Sequence, residues 1–260
     1  MPGPNTTFFR DTDTGVGITR RSFLRGSVLT SVGVSVPSIP VSAVSIRGLQ
    51  ARQVAEECHL NANTALKEVK GKVAFITGGS SGIGLGIARA FVAAGMKVVI
   101  TYRTQSHIDE AMKTFEKQAE QVHPVNVDVR DRQAMERAAG EAVDHFGKVH
   151  VLVNNAGILL PGTLNDTTYA DWDDVVNVNL TGAFNGVHVF LPHIKSHGEG
   201  GHIVTTSSVV GLFSGPGAGA YCATKFAVVG MMEQLRTELT GSNIGVSVYC
   251  PGVIEIGSVV

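Results

Sequence analysis

The sequence lacks the features that mark several classes of protein. It has three cysteines, Cys58, Cys222 and Cys250, whose spacing fits neither a metal site nor a disulfide framework. Its charge is nearly balanced, with 21 Lys and Arg against 22 Asp and Glu, so we expect no nucleic-acid partner. The uncharged stretch over residues 26–43 is mildly apolar but is interrupted by two prolines, and we expect no membrane span. These absences favour a globular protein with no metal site.

The first 70 residues differ in character from the rest. The sequence TRRSFLR at residues 19–25 precedes the uncharged stretch 26–43, which ends in small residues typical of a cleavage site. This order resembles a twin-arginine export signal. It predicts a signal or disordered segment over residues 1–43, a linker or lead-in helix over 44–70, and a periplasmic or exported protein. The alternative is a disordered basic tail on a cytoplasmic protein.

From residue 71 onward, short apolar runs alternate with amphipathic segments. The runs predict strands at residues 73–77, 97–101, 122–127, 149–154, 202–206 and 245–250. The segments between them predict helices near residues 82–94, 107–120, 131–146, 170–196 and 219–240. Such alternation predicts a doubly wound parallel sheet in a three-layer α/β/α domain over residues 71–260, with ligands at the carboxyl ends of the strands.

A glycine-rich turn, Gly78-Gly79-Ser80-Ser81-Gly82-Ile83-Gly84, follows the first predicted strand. Glycine lets an anion approach the backbone, and the start of the next helix contributes free N–H groups and the positive end of its dipole. The turn therefore predicts a site for the diphosphate of a nucleotide. The alternative is an ordinary strand-to-helix turn with extra glycine.

Tyr102 and Arg103 follow the second predicted strand. Proteins that select NAD usually have a carboxylate here, which accepts hydrogen bonds from the ribose hydroxyls. A guanidinium instead pairs well with a 2′-phosphate. The predicted cofactor is therefore NADP rather than NAD, unless Arg103 is only a solvated loop residue.

Tyr221 and Lys225 are spaced to share one face of a helix. A free phenol has a pKa of about 10, and an ammonium ~4 Å away would lower it by roughly 3 units, into the range where a general acid/base works best. Ser208, just past a predicted strand end, is placed to hold a substrate oxygen beside the phenol. Each feature is weak alone, because a Tyr–Lys pair is common on helices and Ser208 also suits a loop or cap.

Several motifs in residues 71–256 together resemble those of the short-chain dehydrogenase/reductase family. They are Thr77-Gly78-x-x-x-Gly82-x-Gly84, Asn154-Asn155-Ala156-Gly157, Ser208, Tyr221-x-x-x-Lys225 and Pro251-Gly252. The resemblance implies a Rossmann-type fold, hydride transfer at a nicotinamide, and a homodimer or homotetramer packed through the helices at 170–196 and 219–240.

The resemblance also implies roles for individual residues. Tyr221 would be the acid/base, Lys225 would lower its pKa and bind the nicotinamide ribose, and Ser208 would orient the substrate oxygen. Asn179 would bend its helix and hold a water in a proton relay, although the sequence alone is equally consistent with a helix kink without chemistry. The implied cofactor contacts are Gly78, Ser80, Ser81, Gly82, Ile83, Gly84, Arg103, Asp128, Val129, Asn155, Tyr221, Lys225, Pro251 and Ile254.

Two departures from the family pattern bear on activity. Ile256 stands where the family usually has a threonine, and the chain ends at Val260, before the usual substrate-covering segment and seventh strand. The expectation is a sheet without its last strand. One alternative to an enzyme is then a catalytically impaired nucleotide-binding fragment or interaction protein.

The segments expected to line the substrate pocket, residues 158–161 and 209–216, carry no charge. They predict an NADP-dependent oxidoreductase acting on an uncharged, fairly apolar alcohol or ketone. An isomerase or dehydratase of the same family is a further alternative.

Overall fold

The computed structural model of the protein describes Leu66 and residues 68–254. The predicted export signal over residues 1–43, most of the 44–70 segment and Ile256 lie outside the described residues. The expected absence of a last strand concerns the chain beyond residue 254, which lies outside them too.

Six parallel strands form one sheet in the order β3-β2-β1-β4-β5-β6, with every neighbouring pair parallel. The strands are β1 (Val73–Ile76), β2 (Lys97–Tyr102), β3 (Val122–Asn126), β4 (Val151–Asn154), β5 (Gly201–Thr206) and β6 (Ile244–Tyr249). The order reverses between β1 and β4, so the chain is doubly wound and a crevice forms at the carboxyl ends of the central strands. The predicted Rossmann-type fold is confirmed.

Helices cover both faces of this sheet. They are α1 (Gly82–Ala93), α2 (Gln105–Lys113), α3 (Arg132–Phe146), α4 (Tyr169–Val176), α5 (Gly182–Ser196) and α6 (Gly219–Glu238). Side chains alternate across a strand, so Phe75 and Ile76 of β1 enter different cores. Phe75 packs on Phe190 of α5 with ring centroids 4.2 Å apart, and Ile76 packs on the side of α1 and α2. Burial on both faces explains why the central strands are almost wholly apolar.

Two predicted helices are interrupted in the structure. The predicted helix at 107–120 becomes α2 and a separate 3₁₀ segment, Glu116–Gln121, because the chain turns at Phe115 to bury that ring in the core. The predicted helix at 170–196 is broken by a π-helical turn, Asn177–Thr181, between α4 and α5. The turn contains Asn179, whose side chain bonds outside its own helix.

The predicted strand at 149–154 begins later than expected, at Val151. Parallel ladder bonds recur at every second residue, and Thr77 N–H donates to the Val153 carbonyl, so a regular ladder would pair Val73 N–H with the Val149 carbonyl. Val73 N–H instead donates to Nδ1 of His150, at 3.2 Å. An imidazole therefore replaces the first ladder bond of the two central strands.

Among the described residues, no helix combines the length and apolar character needed to cross a membrane.

Candidate active site

A cavity of about 750 Å³ lies at the carboxyl edge of the sheet. It is lined by the loops that follow β1 to β5, by the start of α6 and by the segment after β6. All the predicted site residues line it except Gly84 and Asn179. Six loops and helix α6 thus bring the predicted residues to one place.

The glycine turn after β1 forms one wall of the cavity. Gly78 and Gly82 have φ values of 62° and 51°, in the left-handed region that favours glycine. Gly84 does not line the cavity as predicted, because it packs against the turn itself, where a Cβ would collide with the Gly78 carbonyl oxygen. Ser81 precedes α1, makes no side-chain cap, and no acidic residue occupies the first turn of that helix. The helix start is therefore suited to an anion, and the residues present fit the diphosphate of a dinucleotide.

The loop after β4 is fastened to the glycine turn. The Thr77 hydroxyl accepts hydrogen bonds from the backbone N–H groups of Asn155 and Ala156, at 2.9 and 3.0 Å. The Asn155 amide donates to the carbonyls of Thr77 and Gly78, both at 3.2 Å. Asn155 lines the cavity, but its side chain is used to hold the shape of the turn.

Asp128 and Arg103 lie at the end of the cavity nearest β2 and β3. Arg103 Nε is 3.7 Å from Asp128 Oδ2, and the Arg103 side chain is 58% exposed. Arg130, which the sequence reasoning missed, donates to Asp128 through its backbone N–H and its guanidinium. These hydrogen bonds outweigh partial burial and hold the pKa of Asp128 below its usual value. The only sequence indication was the two-residue spacing, which suits an Asp side chain that bonds the backbone two residues on.

Lys225 is 4% exposed and lies at the inner end of the cavity. Its Nζ donates to the Thr206 carbonyl at 2.9 Å and sits 5.3 Å from the ring centroid of Tyr221. Burial lowers the pKa of Lys225 to about 8. The side chain is therefore fixed between the end of β5 and the face of the tyrosine ring.

The expectation of a lowered pKa for Tyr221 is wrong. Burial raises the pKa of Tyr221 above its ordinary value of 10.0, and the Ser208 hydroxyl acts weakly in the opposite direction. Lys225 does not counter this effect; its ammonium is held at the Thr206 carbonyl and over the Tyr221 ring. At neutral pH the phenol is protonated.

Ser208 combines the two roles left open by the sequence. Its hydroxyl accepts a bond from Val210 N–H at 3.3 Å and so caps the short 3₁₀ segment Val209–Gly211. The same side chain lines the cavity that contains Tyr221. The neighbouring Ser207 hydroxyl donates to the Lys225 carbonyl at 2.9 Å, which fixes α6 to the end of β5.

Asn179 lies behind the cavity wall rather than in it. Its amide bonds both backbone groups of Ile158, at 2.8 and 2.9 Å, and donates to the Thr224 hydroxyl at 3.3 Å. A Cβ on Gly157 would lie 3.2 Å from Asn179 Oδ1 and 3.6 Å from Lys225 Nζ. Asn179 thus ties the π-helical turn to the loop after β4, and this turn interrupts the helix where a bend was predicted.

The rest of the cavity wall is apolar. It includes Ile158, Leu159, Pro161, Val209 and Val210. The fixed charges among the lining residues are those of Arg103, Asp128 and Lys225. Further lining residues that the sequence reasoning did not single out include Thr101, Thr104 and His107.

Comparison with known proteins identifies the family of this chain. The family model described as short chain dehydrogenase matches residues 72–259, and the chain belongs to that family. It is 39% identical over 191 residues to C alpha-dehydrogenase from Sphingobium sp. strain SYK-6, covering 73% of this chain and 63% of that protein. It is 37% identical over 187 residues to the 3-oxoacyl-[acyl-carrier-protein] reductase FabG of Thermotoga maritima, covering 72% of this chain and 76% of that protein.

Solved structures give the same result. A short-chain dehydrogenase/reductase from Burkholderia phymatum in complex with NAD aligns with a TM-score of 0.70 at 38% identity, over 73% of this chain and 68% of that one. The apo form of LigD from Sphingobium sp. strain SYK-6 aligns with a TM-score of 0.69 at 39% identity, over 72% and 80%. The matched region covers 63% of C alpha-dehydrogenase, which is less than two thirds of its length. It covers 68% and 80% of these two solved structures.

Proposed function

We propose that the protein is an NADP-dependent oxidoreductase that transfers a hydride between a nicotinamide and an uncharged, fairly apolar alcohol or ketone. The observation that carries the proposal is one cavity containing Ser208, Tyr221 and buried Lys225 together with the glycine turn. Such a reaction requires a proton donor, a cation and an anion site at one edge of the sheet. The curated relatives named as dehydrogenases and reductases support the same reaction class.

The nicotinamide, when bound, supplies or accepts the hydride. A phenol whose pKa is raised is protonated at neutral pH, so Tyr221 is ready to donate its proton to a ketone oxygen as that oxygen gains negative charge. Lys225, with a pKa of about 8, is charged at pH 7, and the N–H groups of its Nζ that Thr206 does not occupy are placed to bind the nicotinamide ribose. The Ser208 hydroxyl holds the substrate oxygen. These protonation states favour reduction at neutral pH, and oxidation is expected to become faster as pH rises.

Replacing Tyr221 by phenylalanine tests the catalytic assignment. The variant keeps the ring beside Lys225 but removes the proton donor, so turnover should fall by about 10²-fold or more while NADPH binding stays within about twofold. Tyr169→Phe is the matched control, because Tyr169 is 92% exposed and lies outside the cavity. Steady-state assays with a panel of apolar ketones measure turnover, and retained activity in Tyr221→Phe would refute the proposed role.

The preference for NADP is tested at Arg103. Its guanidinium lies at the cavity end nearest β2, and the chain has no carboxylate at position 102 or 103 to repel a 2′-phosphate. Fluorescence titration should give tighter binding of NADPH than of NADH, and Arg103→Ala should remove most of the difference. Equal affinities for the two nucleotides in the unmodified protein would contradict the preference.

The substrate class is supported by the apolar wall. Leu159 and Val210 line the cavity, and its charged residues belong to the parts assigned to the cofactor and the acid/base. A screen that pairs each apolar ketone with a carboxylated analogue tests this assignment. Faster turnover of the carboxylated members would contradict it.

Self-association through α4, α5 and α6 is part of the same proposal. These helices expose the apolar rings of Trp172, Phe184 and Phe226, which are 38%, 49% and 41% exposed. Exposed apolar surface is typical of an interface. Light scattering should report a dimer or tetramer, and a monomer would contradict this expectation.

Export by the twin-arginine route is also proposed, and it depends on residues outside the described part of the chain. The pattern at residues 19–43 is its only support. Cell fractionation should find the protein in the periplasm, and replacing Arg20 and Arg21 by lysine should retain it in the cytoplasm. An unchanged location would leave the cytoplasmic alternative.

A further inference from the structure

The Asp128 carboxylate is shared unequally by two arginines. Arg130 donates to it from the backbone N–H at 3.0 Å, from Nε at 3.0 and 3.1 Å, and from Nη2 at 2.7 Å. Arg103 approaches the same carboxylate only to 3.7 Å, which is beyond hydrogen-bonding distance. Arg130 therefore supplies the strong, fork-like contact, and Arg103 has only a longer-range attraction.

Arg130 is itself fixed at its other end. Its Nη1 donates to Asp174 of α4 at 3.1 Å, so the guanidinium spans two carboxylates. The side chain of Arg103, by contrast, is 58% exposed and lines the cavity. The arginine expected to meet the cofactor is thus the one left loosely held.

We propose that Arg130 is a positioning residue for cofactor selectivity: it occupies the Asp128 carboxylate and so leaves Arg103 available to the 2′-phosphate of NADP. The inference rests on the proposed function, because it concerns the same nucleotide site. Without Arg130, Asp128 keeps its negative charge beside Arg103 and draws that guanidinium into direct contact. Arg103 must then break this contact before it can pair with a phosphate, so binding of NADPH weakens while binding of NADH, which has no 2′-phosphate, does not.

Fluorescence titration of the full chain with NADPH and NADH tests this inference. Arg130→Met should weaken NADPH binding by about threefold to fivefold, the range expected for an exposed ion pair, and should change NADH binding by less than about twofold. Arg132→Met is the matched control, since Arg132 is exposed at the start of α3 and is not among the cavity residues. The ratio of the two affinities is the readout, because a purely structural defect would weaken both nucleotides alike.

A double-mutant cycle separates positioning of Arg103 from simple loss of a positive charge. In the Arg103→Ala background, Arg130→Met should change NADPH affinity by less than about twofold, because there is no Arg103 left to be captured. Combining Arg130→Met with Asp128→Asn should restore NADPH selectivity. An undiminished effect in the Arg103→Ala background would overturn the inference.

The remaining outcomes also distinguish this inference from the proposed function. An unmodified protein that does not prefer NADPH contradicts the proposed cofactor and the inference with it. A preference that Arg103→Ala removes but Arg130→Met leaves intact contradicts the inference alone. If Arg130→Met does not fold, Asp174→Asn releases the other end of Arg130 and should shift the affinity ratio in the same direction by a smaller factor; no shift would overturn the inference.

Discussion

Two groups of polar side chains lie at opposite edges of the same sheet, and they differ in how far their hydrogen-bonding capacity is used. At the carboxyl edge, Lys225 is buried but its Nζ, which has three N–H donors, makes one hydrogen bond among the described residues, to the Thr206 carbonyl. At the amino edge, His150 is equally buried and both of its ring nitrogens are bonded. Lys225 therefore keeps N–H donors that a ligand in the cavity could use, whereas His150 keeps none. Side chains with all their hydrogen bonds made are typical of structural clusters.

The amino-edge group, here called the basal cluster, consists of Lys72, Lys148, His150, His197 and Glu199. The Glu199 carboxylate pairs with Lys72 at 2.7 Å, with Lys148, and with Nε2 of His150 at 3.0 Å. These three partners hold the pKa of Glu199 far below its usual value. The Glu199 carboxylate is therefore fully paired, and the two ammonium groups leave the cluster with an excess of positive charge.

Hydrogen bonds also fix the tautomers of the two histidines. Val73 N–H donates to Nδ1 of His150, so its Nε2 carries the proton that Glu199 accepts. Nε2 of His197 donates to the Val149 carbonyl at 3.0 Å, and its Nδ1 accepts from Glu199 N–H at 3.2 Å. The two imidazoles thus serve the backbone groups that a regular ladder would have paired with each other.

The basal cluster resembles a metal site only by the proximity of its atoms. Donor atoms of His150, His197 and Glu199 lie within 4.8 Å of one another. The acceptor nitrogen of each ring already receives a backbone N–H, and two ammonium groups contact the carboxylate. A cation would have to displace all of these contacts. The cluster is therefore better suited to stabilise the edge of the sheet through ion pairs and hydrogen bonds than to bind a metal.

The largest expected contrast is between two lysines, one from each edge. Lys225→Met removes the cation beside Tyr221 and should lower turnover by about 10²-fold or more. Lys148→Met removes one of three partners of Glu199 and should leave turnover within about twofold, with a small fall in melting temperature. Steady-state kinetics and thermal unfolding measure the two effects. A loss of turnover in Lys148→Met that matches that of Lys225→Met would break the comparison.

The next effect concerns the ladder bond that His150 replaces. His150→Leu leaves the buried Val73 N–H without its acceptor, which should lower the free energy of unfolding by about 1–3 kcal/mol. His188→Leu is the control, since His188 is exposed on α5. Chemical denaturation measures both variants, and equal stabilities would mean that the imidazole contributes nothing as a backbone partner.

Short-range patterns in the sequence were enough to predict the sheet, the glycine turn and the pair formed by Tyr221 and Lys225. Each depends on residues within a few positions of one another, and the fold then brings them together at the carboxyl edge. The π-helical turn at Asn177–Thr181 could not be predicted in this way. Its asparagine bonds Ile158, 21 residues earlier, so the interruption is set by a tertiary contact.

The pKa of Tyr221 also depends on a tertiary contact that short-range patterns in the sequence do not reveal. Its spacing from Lys225 indicates that the two share a helix face but not where the ammonium points. The Thr206 carbonyl, which comes from a different element, holds Nζ over the ring. The late start of β4 has a similar cause, since it depends on His150 reaching a neighbouring strand and on contacts from His197.

The smallest expected effect is the fall in thermal stability at acid pH. It sharpens the comparison most, because it reports on His150 and Glu199 of the basal cluster. Burial lowers the pKa of His150 below 6.5, and the partners of Glu199 lower the pKa of that carboxyl below 4.5. Both groups are more easily protonated in the unfolded chain, so their stabilising contribution is complete above about pH 6.5 and is lost as pH falls through the folded-state values. His150 accounts for the first part of this loss, because a proton on Nδ1 would oppose Val73 N–H.

Melting temperatures measured from pH 8 to pH 4 should therefore begin to fall near pH 6.5, and His150→Leu should flatten that first segment. A curve of unchanged shape in the variant would contradict this account and would assign the acid response to other groups, such as His202, whose pKa burial also lowers.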